Sequence, residues 1–498
     1  MYIIGIDIGT TNTKLLLIDI SRFVLIEKYN FPTYKIQNGS ETDFDIQKIW
    51  ENIKIGIKHI CNKDKIDGEL LGISIASVGE AGVLINKDNK IIGPAISWYD
   101  KRGNQYIDKL TKQLSPEAIY QITGLSPHSN YSIGKIKWIL EKYPEVNPNE
   151  ITWLNLANYI AFKLTNNKYL EYSLVSRTLA YDLSNEKWSN EILQSLNINQ
   201  SIFPPIKHSG ESIGKITNEL AKEFNIPDTT LVSVAGHDHM IGSLITNLKE
   251  GEEILNSTGT TEGLLLVQRK PCFSANSFNY NLSNGKYVKW GLYSYFGSIP
   301  AAGFSVEWLR KLLNISEKEF FDNKMNDLFQ KYNSGYFDNK KIIFIPQLRG
   351  SGPPKRLSNS KSLIYGFDEH TNESDIIFSL FLGMCFELKN LLSAFKDVTN
   401  TNPKLLKVIG SAIKNDFWLQ LKSDVLGCEI KAYNVDEPVA MGAVLSMGMA
   451  NKWVDNNNIV KDSEIKIFSP NKERTLYFDE LFDKCYKSFL NFKYEYEN

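Results

Sequence analysis

Gly5-Ile6-Asp7-Ile8-Gly9-Thr10-Thr11-Asn12-Thr13-Lys14 lies between the apolar runs 2–6 and 15–18. The pattern predicts a β-hairpin: two β-rich runs flank a short turn of Gly and Thr, which supplies permissive backbone, exposed N–H groups and hydroxyls able to hold a phosphate. Asp7 sits inside that cradle. A carboxylate beside bare phosphates is repelled unless a divalent cation lies between them, so the acid points to a metal-bound nucleotide, Mg-ATP, as the ligand. Taken alone, the same residues also suit an ordinary buried hairpin with a glycine turn. They do not stand alone. Asn256-Ser257-Thr258-Gly259-Thr260-Thr261-Glu262-Gly263, followed by the apolar run 264–267, repeats the Gly-Thr-Thr turn 250 residues on, half of the 498-residue chain. Such a pseudo-duplication predicts two similar halves, each offering a phosphate-gripping turn to one nucleotide held between them.

The length exceeds what one ordinary core supports, and the repeat favours two large domains. Charged residues make up 23% and apolar ones 42%, the balance of a globular chain without long disorder. A net charge of -1, with no dense Lys/Arg run, predicts no nucleic-acid partner. Cys61, Cys272, Cys385, Cys428 and Cys485 are widely spaced and form no Cys-x-x-Cys pair, so free thiols in a reducing compartment are expected. Met1 leads straight into the first strand, and no run reads as the roughly eighteen apolar residues of a membrane span; a cytoplasmic protein is expected.

Beyond the hairpin, 23–34 predicts a third strand and 45–61 a helix with Ile46, Ile49, Ile53 and Ile57 on one face. The run 70–76 reads as a strand and Ser77-Val78-Gly79-Glu80-Ala81-Gly82 as a small-residue turn. That turn displays Glu80 at a strand end, where ligands bind in open α/β sheets, although a solvated turn acid fits too. Pro94-Ala95-Ile96-Ser97-Trp98-Tyr99-Asp100-Lys101-Arg102 suits a polyol: an aromatic ring for the apolar face of a sugar, with Trp98, Asp100 and Arg102 as candidate partners for it and its hydroxyls. Its other reading is a helix start with a packed Trp. Residues 105–225 look mostly helical, and no single residue there acquires a role.

The run 231–235 reads as a strand ending in Gly236-His237-Asp238-His239, and Asp238 opens a helix containing Met240, Ile241, Leu244 and Ile245. An Asp so placed can orient an alcohol and take its proton during phosphoryl transfer. A metal site of His237, Asp238 and His239 is disfavoured, because alternating side chains are expected to point apart. In the second half, 301–310 opens a helix, 342–345 is a strand, and Pro346-Gln347-Leu348-Arg349-Gly350-Ser351-Gly352-Pro353-Pro354 an irregular loop. Residues 406–412 are a strand and glycine turn, and 415–426 a helix stopped by Gly427; together they form a seat for an adenosine or phosphate, or a plain βα connection. A small-residue helix follows over 438–450.

These residues resemble the FGGY family of carbohydrate kinases, within the superfamily of actin-like and Hsp70-like ATPases. The resemblance covers nearly the whole chain. It rests on Asp7-Ile8-Gly9-Thr10-Thr11, Gly236-His237-Asp238, Gly259-Thr260-Thr261 and Gly410-Ser411-Ala412 with Asn415, four motifs in order. It implies an α/β fold of two RNase H-like (actin-like ATPase) domains with a cleft between them: 1–244, binding the sugar and carrying the base, and 245–498, binding ATP. By the same resemblance Asp238 is the catalytic base, Asp7 the acid near Mg2+, and Glu80, Trp98 and Asp100, with Asp238, the sugar contacts. Gly9, Thr10, Thr11, Lys14, Gly259, Thr260, Thr261, Gly410, Ser411, Ala412 and Asn415 are the implied nucleotide contacts. Family branches carry Arg-Glu or Met-His where this chain has Gly79-Glu80, and Gln or Asn where it has His239. The expected substrate is a pentulose such as xylulose, with polyols (glycerol, erythritol) and sugar acids (gluconate) behind it, and a homodimer is left open. A filament-forming or chaperone ATPase would share the phosphate loops without needing Asp238. A Rossmann dehydrogenase and a P-loop enzyme are excluded for want of Gly-x-Gly-x-x-Gly and Gly-x4-Gly-Lys-Ser/Thr.

Overall fold

A computed structural model describes residues 1–61, 68–338, 340–455, 460 and 464–497. The opening run folds as the hairpin β1 (Tyr2–Ile8) and β2 (Asn12–Asp19), extended by β3 (Val24–Pro32). Parallel to β1 lies β4 (Leu70–Ser77), then β6 (Leu231–His237), with the short β5 (Ser212–Lys215) antiparallel at the edge, giving the order β5-β6-β4-β1-β2-β3. The second half repeats this plan. Strands β7 (Glu253–Thr258), β8 (Glu262–Gln268) and β10 (Tyr293–Ile299) form the antiparallel part, with β9 (Ser283–Lys286) outside them. Parallel to β7 run β11 (Leu405–Gly410) and β12 (Glu429–Tyr433), and β13 (Ile465–Phe468) closes the edge. Hairpin, third strand and two parallel neighbours thus occur twice, as the repeated Gly-Thr-Thr turn anticipates.

The first sheet is covered on both faces because β1 alternates. Ile4, Ile6 and Ile8 meet helix α1 (Ile46–Ile60) through Ile49, Ile53 and Ile57, all buried. Asp45 starts that helix, its carboxylate accepting from Lys48 N at 3.1 Å. On the opposite face Ile3, Leu16 and Ile18 pack against Ala440, Val444 and Met447 of helix α5 (Pro438–Ala450), which belongs to the second half of the chain. The approach is close: a Cβ at Gly5 would lie 2.2 Å from the Ala440 carbonyl oxygen. In the second half, helix α2 (Gly303–Leu312) follows β10, and α3 (Glu373–Thr399) and α4 (Asp416–Leu426) pack on the sheet and on one another.

Three expectations need correction. Residues 105–225 are not mainly helical throughout, since Thr152–Asn155 and β5 add strands held by pairing to Gly82–Ile85 and to β6. The helix after Asp238 is split into an α-turn, Asp238–Ile241, and a 3-10 stretch, Gly242–Thr246. Helix α3 does reach the length and apolarity of a membrane span, but 78% of its apolar window is buried inside the fold, where it serves as a core helix. The five cysteines are all free thiols.

Candidate active site

Strands β1, β4 and β6 are parallel neighbours, and each presents one acid at or just beyond its C-terminal end: Asp7, Glu80 and Asp238. Asp7 is buried, and its Oδ1 has no hydrogen-bond partner among the described residues. Burial, reinforced by the charge of Asp238, pushes its pKa up to about 8. Asp238 is likewise pushed up to about 7 by burial, with Glu80 adding repulsion, while the His239 N–H bond at 2.7 Å and Arg177 pull the other way. The backbone reaches Asp238 through Gly236 at φ 116, where a Cβ would meet Ser173 Oγ at 2.4 Å. That hydroxyl accepts from His237 N at 2.9 Å and donates to the buried Glu171 at 2.6 Å, so the strand end is tied down from behind.

Glu80 occupies a three-residue turn closed by Ala81 N donating to Gly79 O at 2.6 Å, with a φ of 55°. A left-handed conformation in a side chain of this size is strained by roughly 1–3 kcal/mol, a cost proteins usually bear at functional positions. Its carboxylate accepts from Arg177 Nε at 2.7 Å, and the guanidinium lies 5.2 Å from the centre of the Tyr131 ring. Trp98 Nε1 donates to Thr10 Oγ1 at 2.9 Å, joining the aromatic segment to the first Gly-Thr-Thr turn. Lys135, fully buried, donates to the carbonyls of Trp98 at 2.9 Å and Glu80 at 3.3 Å and also to Asn130, and burial pushes its pKa down to about 7. Asp100 has a different task from the sugar contact expected of it. Its oxygens accept from Thr42 N at 2.7 Å and from Arg102 N and Nε at 2.9 and 3.0 Å, and Arg102 also pairs with Asp43. The imidazoles of His237 and His239 do not point apart as expected; they stack with centroids 5.1 Å apart and planes 8° apart. Among the described residues no cluster of three His, Cys, Asp or Glu side chains has the arrangement of a metal site.

Across the cleft the second Gly-Thr-Thr turn is braced by the start of α2. Gly259 O accepts from Gly303 N at 3.1 Å, and Thr260 O from Ala302 N and Phe304 N at 3.2 Å. Thr258 Oγ1 donates to Ile409 O at 2.9 Å and accepts from Ala412 N at 3.0 Å, joining the turn to Gly410-Ser411-Ala412. Gly410 has φ 98, and a Cβ there would strike Thr258 O at 2.0 Å. Asn415 caps α4, accepting from Trp418 N at 3.0 Å. Lys14 pairs with Glu437 at 2.5 Å, beside the start of α5. Behind the second turn Glu262 and Lys422 form a fully buried ion pair, with Lys422 also donating to Asn256 at 3.0 Å.

Sequence models of the two FGGY domains match this architecture. The N-terminal domain of the FGGY family of carbohydrate kinases matches residues 2–244 and the C-terminal domain residues 254–451. The chain belongs to the FGGY family of carbohydrate kinases. Among relatives of this FGGY chain, a xylulose kinase of Staphylococcus xylosus is 27% identical over 496 residues, covering 97% of this chain and 98% of its own. A glycerol kinase of Saccharolobus islandicus is 28% identical, covering 96% and 94%. The glycerol kinase of Plasmodium falciparum, solved with ADP, superposes with a TM-score of 0.87 at 22% identity over 98% of each chain. The chain is thus a carbohydrate kinase of the actin-like ATPase fold, and its family uses ATP.

Sequence reading missed Arg177, Tyr131, Lys135 and the stacking of His237. Arg177 left one trace. Only three arginines precede residue 244, and this one sits in the weakly polar run Ser173-Leu174-Val175-Ser176-Arg177-Thr178-Leu179, where a guanidinium needs a buried partner.

Proposed function

We propose that this kinase transfers the γ-phosphoryl group of ATP to a hydroxyl of a small neutral sugar, a pentulose such as xylulose being the first candidate. The observation that carries the reading is the convergence of Asp7, Glu80 and Asp238 at three adjacent strand ends, with Asp238 held to a pKa of about 7. A carboxylate of that basicity is matched to taking a proton near neutral pH. The substrate sits against Trp98 and Tyr131, with Glu80 and Arg177 bonding one of its hydroxyls and Asp238 bonding the one that reacts. As the hydroxyl oxygen bonds to phosphorus, Asp238 takes its proton, the bond from phosphorus to the β-phosphate oxygen breaks, and ADP departs. The two Gly-Thr-Thr turns hold the phosphates, and Gly410-Ser411-Ala412 and Asn415 border the adenosine. Domain closure excludes water from the transfer.

Mg2+ fits Asp7. The buried Oδ1 lacks a partner among the described residues, and the proton held there by burial, with repulsion from Asp238 adding to it, would yield to a cation. When bound, the ion supplies positive charge to the phosphate oxygens; few protein ligands are needed, because Mg2+ keeps waters and phosphates around it. A short polyol such as glycerol is the second reading, favoured by the Glu80–Arg177 pair, in which carboxylate and guanidinium offer both an acceptor and donors to hydroxyls. A sugar acid is less suited, since Glu80 already satisfies that guanidinium. The free thiols accord with a cytoplasmic enzyme. The test is a panel of ketopentoses, polyols and sugar acids screened for stimulated ADP formation, with the product identified by mass. Stimulation by a neutral sugar or polyol is expected; stimulation by none of the panel overturns the reading.

A further inference from the structure

Gly79 is not required by its own backbone conformation, since its φ lies outside the left-handed region that marks thirteen other glycines of the described residues. What forbids a side chain there is space. A Cβ at position 79 would lie 2.8 Å from both Cδ2 and Nε2 of His237, and 3.6 Å from Cγ of Arg177. The imidazole has no easy retreat. It is buried, it stacks on His239, and the His239 ring in turn meets Phe296 of β10 edge-on at 5.2 Å. Phe296 is itself seated where Gly263 leaves room beside the second Gly-Thr-Thr turn, a Cβ there lying 2.8 Å from its ring. Meanwhile His237 Nε2 stands 3.4 Å from Asp238 Oδ1, and Arg177 reaches Glu80 at 2.7 Å.

We propose that the slot left by Gly79 is the specificity-determining feature of the sugar site: it admits the His237 ring on one side and the Arg177 stem on the other, and so couples the acid that reads the sugar to the acid that reacts. The substrate class it selects is a neutral molecule with at least two hydroxyls, one read by Glu80 and Arg177 and one presented to Asp238. Neither His237 nor Gly79 need touch substrate. His237 is a positioning residue, holding Asp238 from the side while the His239–Phe296 stack holds it in place. This inference rests on the sugar-kinase reading above, which supplies the role of Asp238.

The test is a double-mutant cycle of Gly79→Ala and His237→Ala, read by thermal melting without ligands and by steady-state kinetics on the best sugar or polyol of the wild type. Gly79→Ala is expected to lower Tm and to raise KM for the sugar at least tenfold, leaving KM for ATP within twofold. In the double variant, removal of the ring opens the space, so both Tm and sugar KM should move back toward the His237→Ala values. Additive effects in the cycle, or a Gly79→Ala enzyme with wild-type sugar KM, overturn the proposal. Equal rises in KM for sugar and ATP overturn it as well, since they indicate general loosening. If the wild type phosphorylates no sugar or polyol, the functional reading fails and the specificity role with it, while the melting cycle still decides the contact between position 79 and His237.

Discussion

Asp7, buried, and Asp238, part-buried, are costly carboxylates to hold near enough for one charge to repel the other, and the cost is informative. Each has a folded-state pKa, about 8 and about 7, above the ordinary carboxyl value, so the folded protein binds the protons more tightly than the unfolded chain does. Stability from these two groups is therefore fully present below about pH 4 and falls as pH rises toward 7 to 8. Asp7→Asn should accordingly melt at or above the wild-type temperature at pH 8 while turning over more weakly and needing a higher Mg2+ concentration to do so. A well-folded variant with unchanged Mg2+ dependence would remove Asp7 from the metal site. Catalysis runs the opposite way with pH. Asp238 acts as a base only when deprotonated, so kcat/KM should fall about tenfold per unit below pH 7. A pH–rate profile with no acid limb between pH 5 and 8 would contradict that role. Glu80 offers a third check at this scale: Glu80→Gln keeps the shape but weakens a charge-assisted hydrogen bond of about 1.5–3 kcal/mol, so KM for the sugar should rise more than KM for ATP. Unchanged constants for the sugar would make Glu80 a turn acid only.

At the level of elements, the hairpins, the helix over 46–60 and the strand–glycine–helix unit over 405–426 were legible because their periodicity and punctuation are strong: alternating isoleucines, an Asp cap, Gly427 in the left-handed region at φ 64. Strand β5 was not legible. Its four residues include a glycine, and it exists because the edge of β6 is there to pair with. Arg177 stood out only by its weakly polar surroundings; the Glu80 carboxylate it pairs with and the Glu80 carbonyl that Lys135 meets lie 97 and 55 positions away in the chain, and no local pattern names them. Elements also carry the proposed nucleotide side of the site. Lys422 on α4 holds Glu262 at the start of β8 with both side chains fully buried, directly beside Thr261. Removing one partner leaves a buried charge uncompensated, so Lys422→Met should cost about 3–5 kcal/mol in denaturant unfolding and raise KM for ATP more than for sugar. A loss under 1 kcal/mol would show that the second turn does not depend on the pair.

For the molecule as a whole, α5 is one element that makes the two halves one structure, beside contacts such as Tyr120 with Ser277 and Leu282. Drawn from the C-terminal half, it packs on β1 with Gly5 against Ala440 O, and a Cβ at Gly442 would lie 2.2 Å from Ile241 O just after Asp238. These contacts are between backbones, which cannot rotate aside as a side chain can, so Gly442→Ala is expected to destabilise by about 1–3 kcal/mol and to slow turnover through Asp238. The repeat of the Gly-Thr-Thr turn announced two halves, whereas the crossing of α5 depends on small residues whose neighbours only the fold supplies. Both halves meet at Asp238, and the account stands on its task. The direct measurement is single-turnover phosphoryl transfer from ATP to the identified sugar by wild type and Asp238→Asn, with equilibrium binding of sugar and ATP in parallel. The account predicts a rate lower by roughly 10² to 10⁴ with both affinities within a few-fold of wild type, because the amide still bonds the hydroxyl but cannot take its proton. Near-native transfer by the variant would contradict it, since another group would then be accepting the proton.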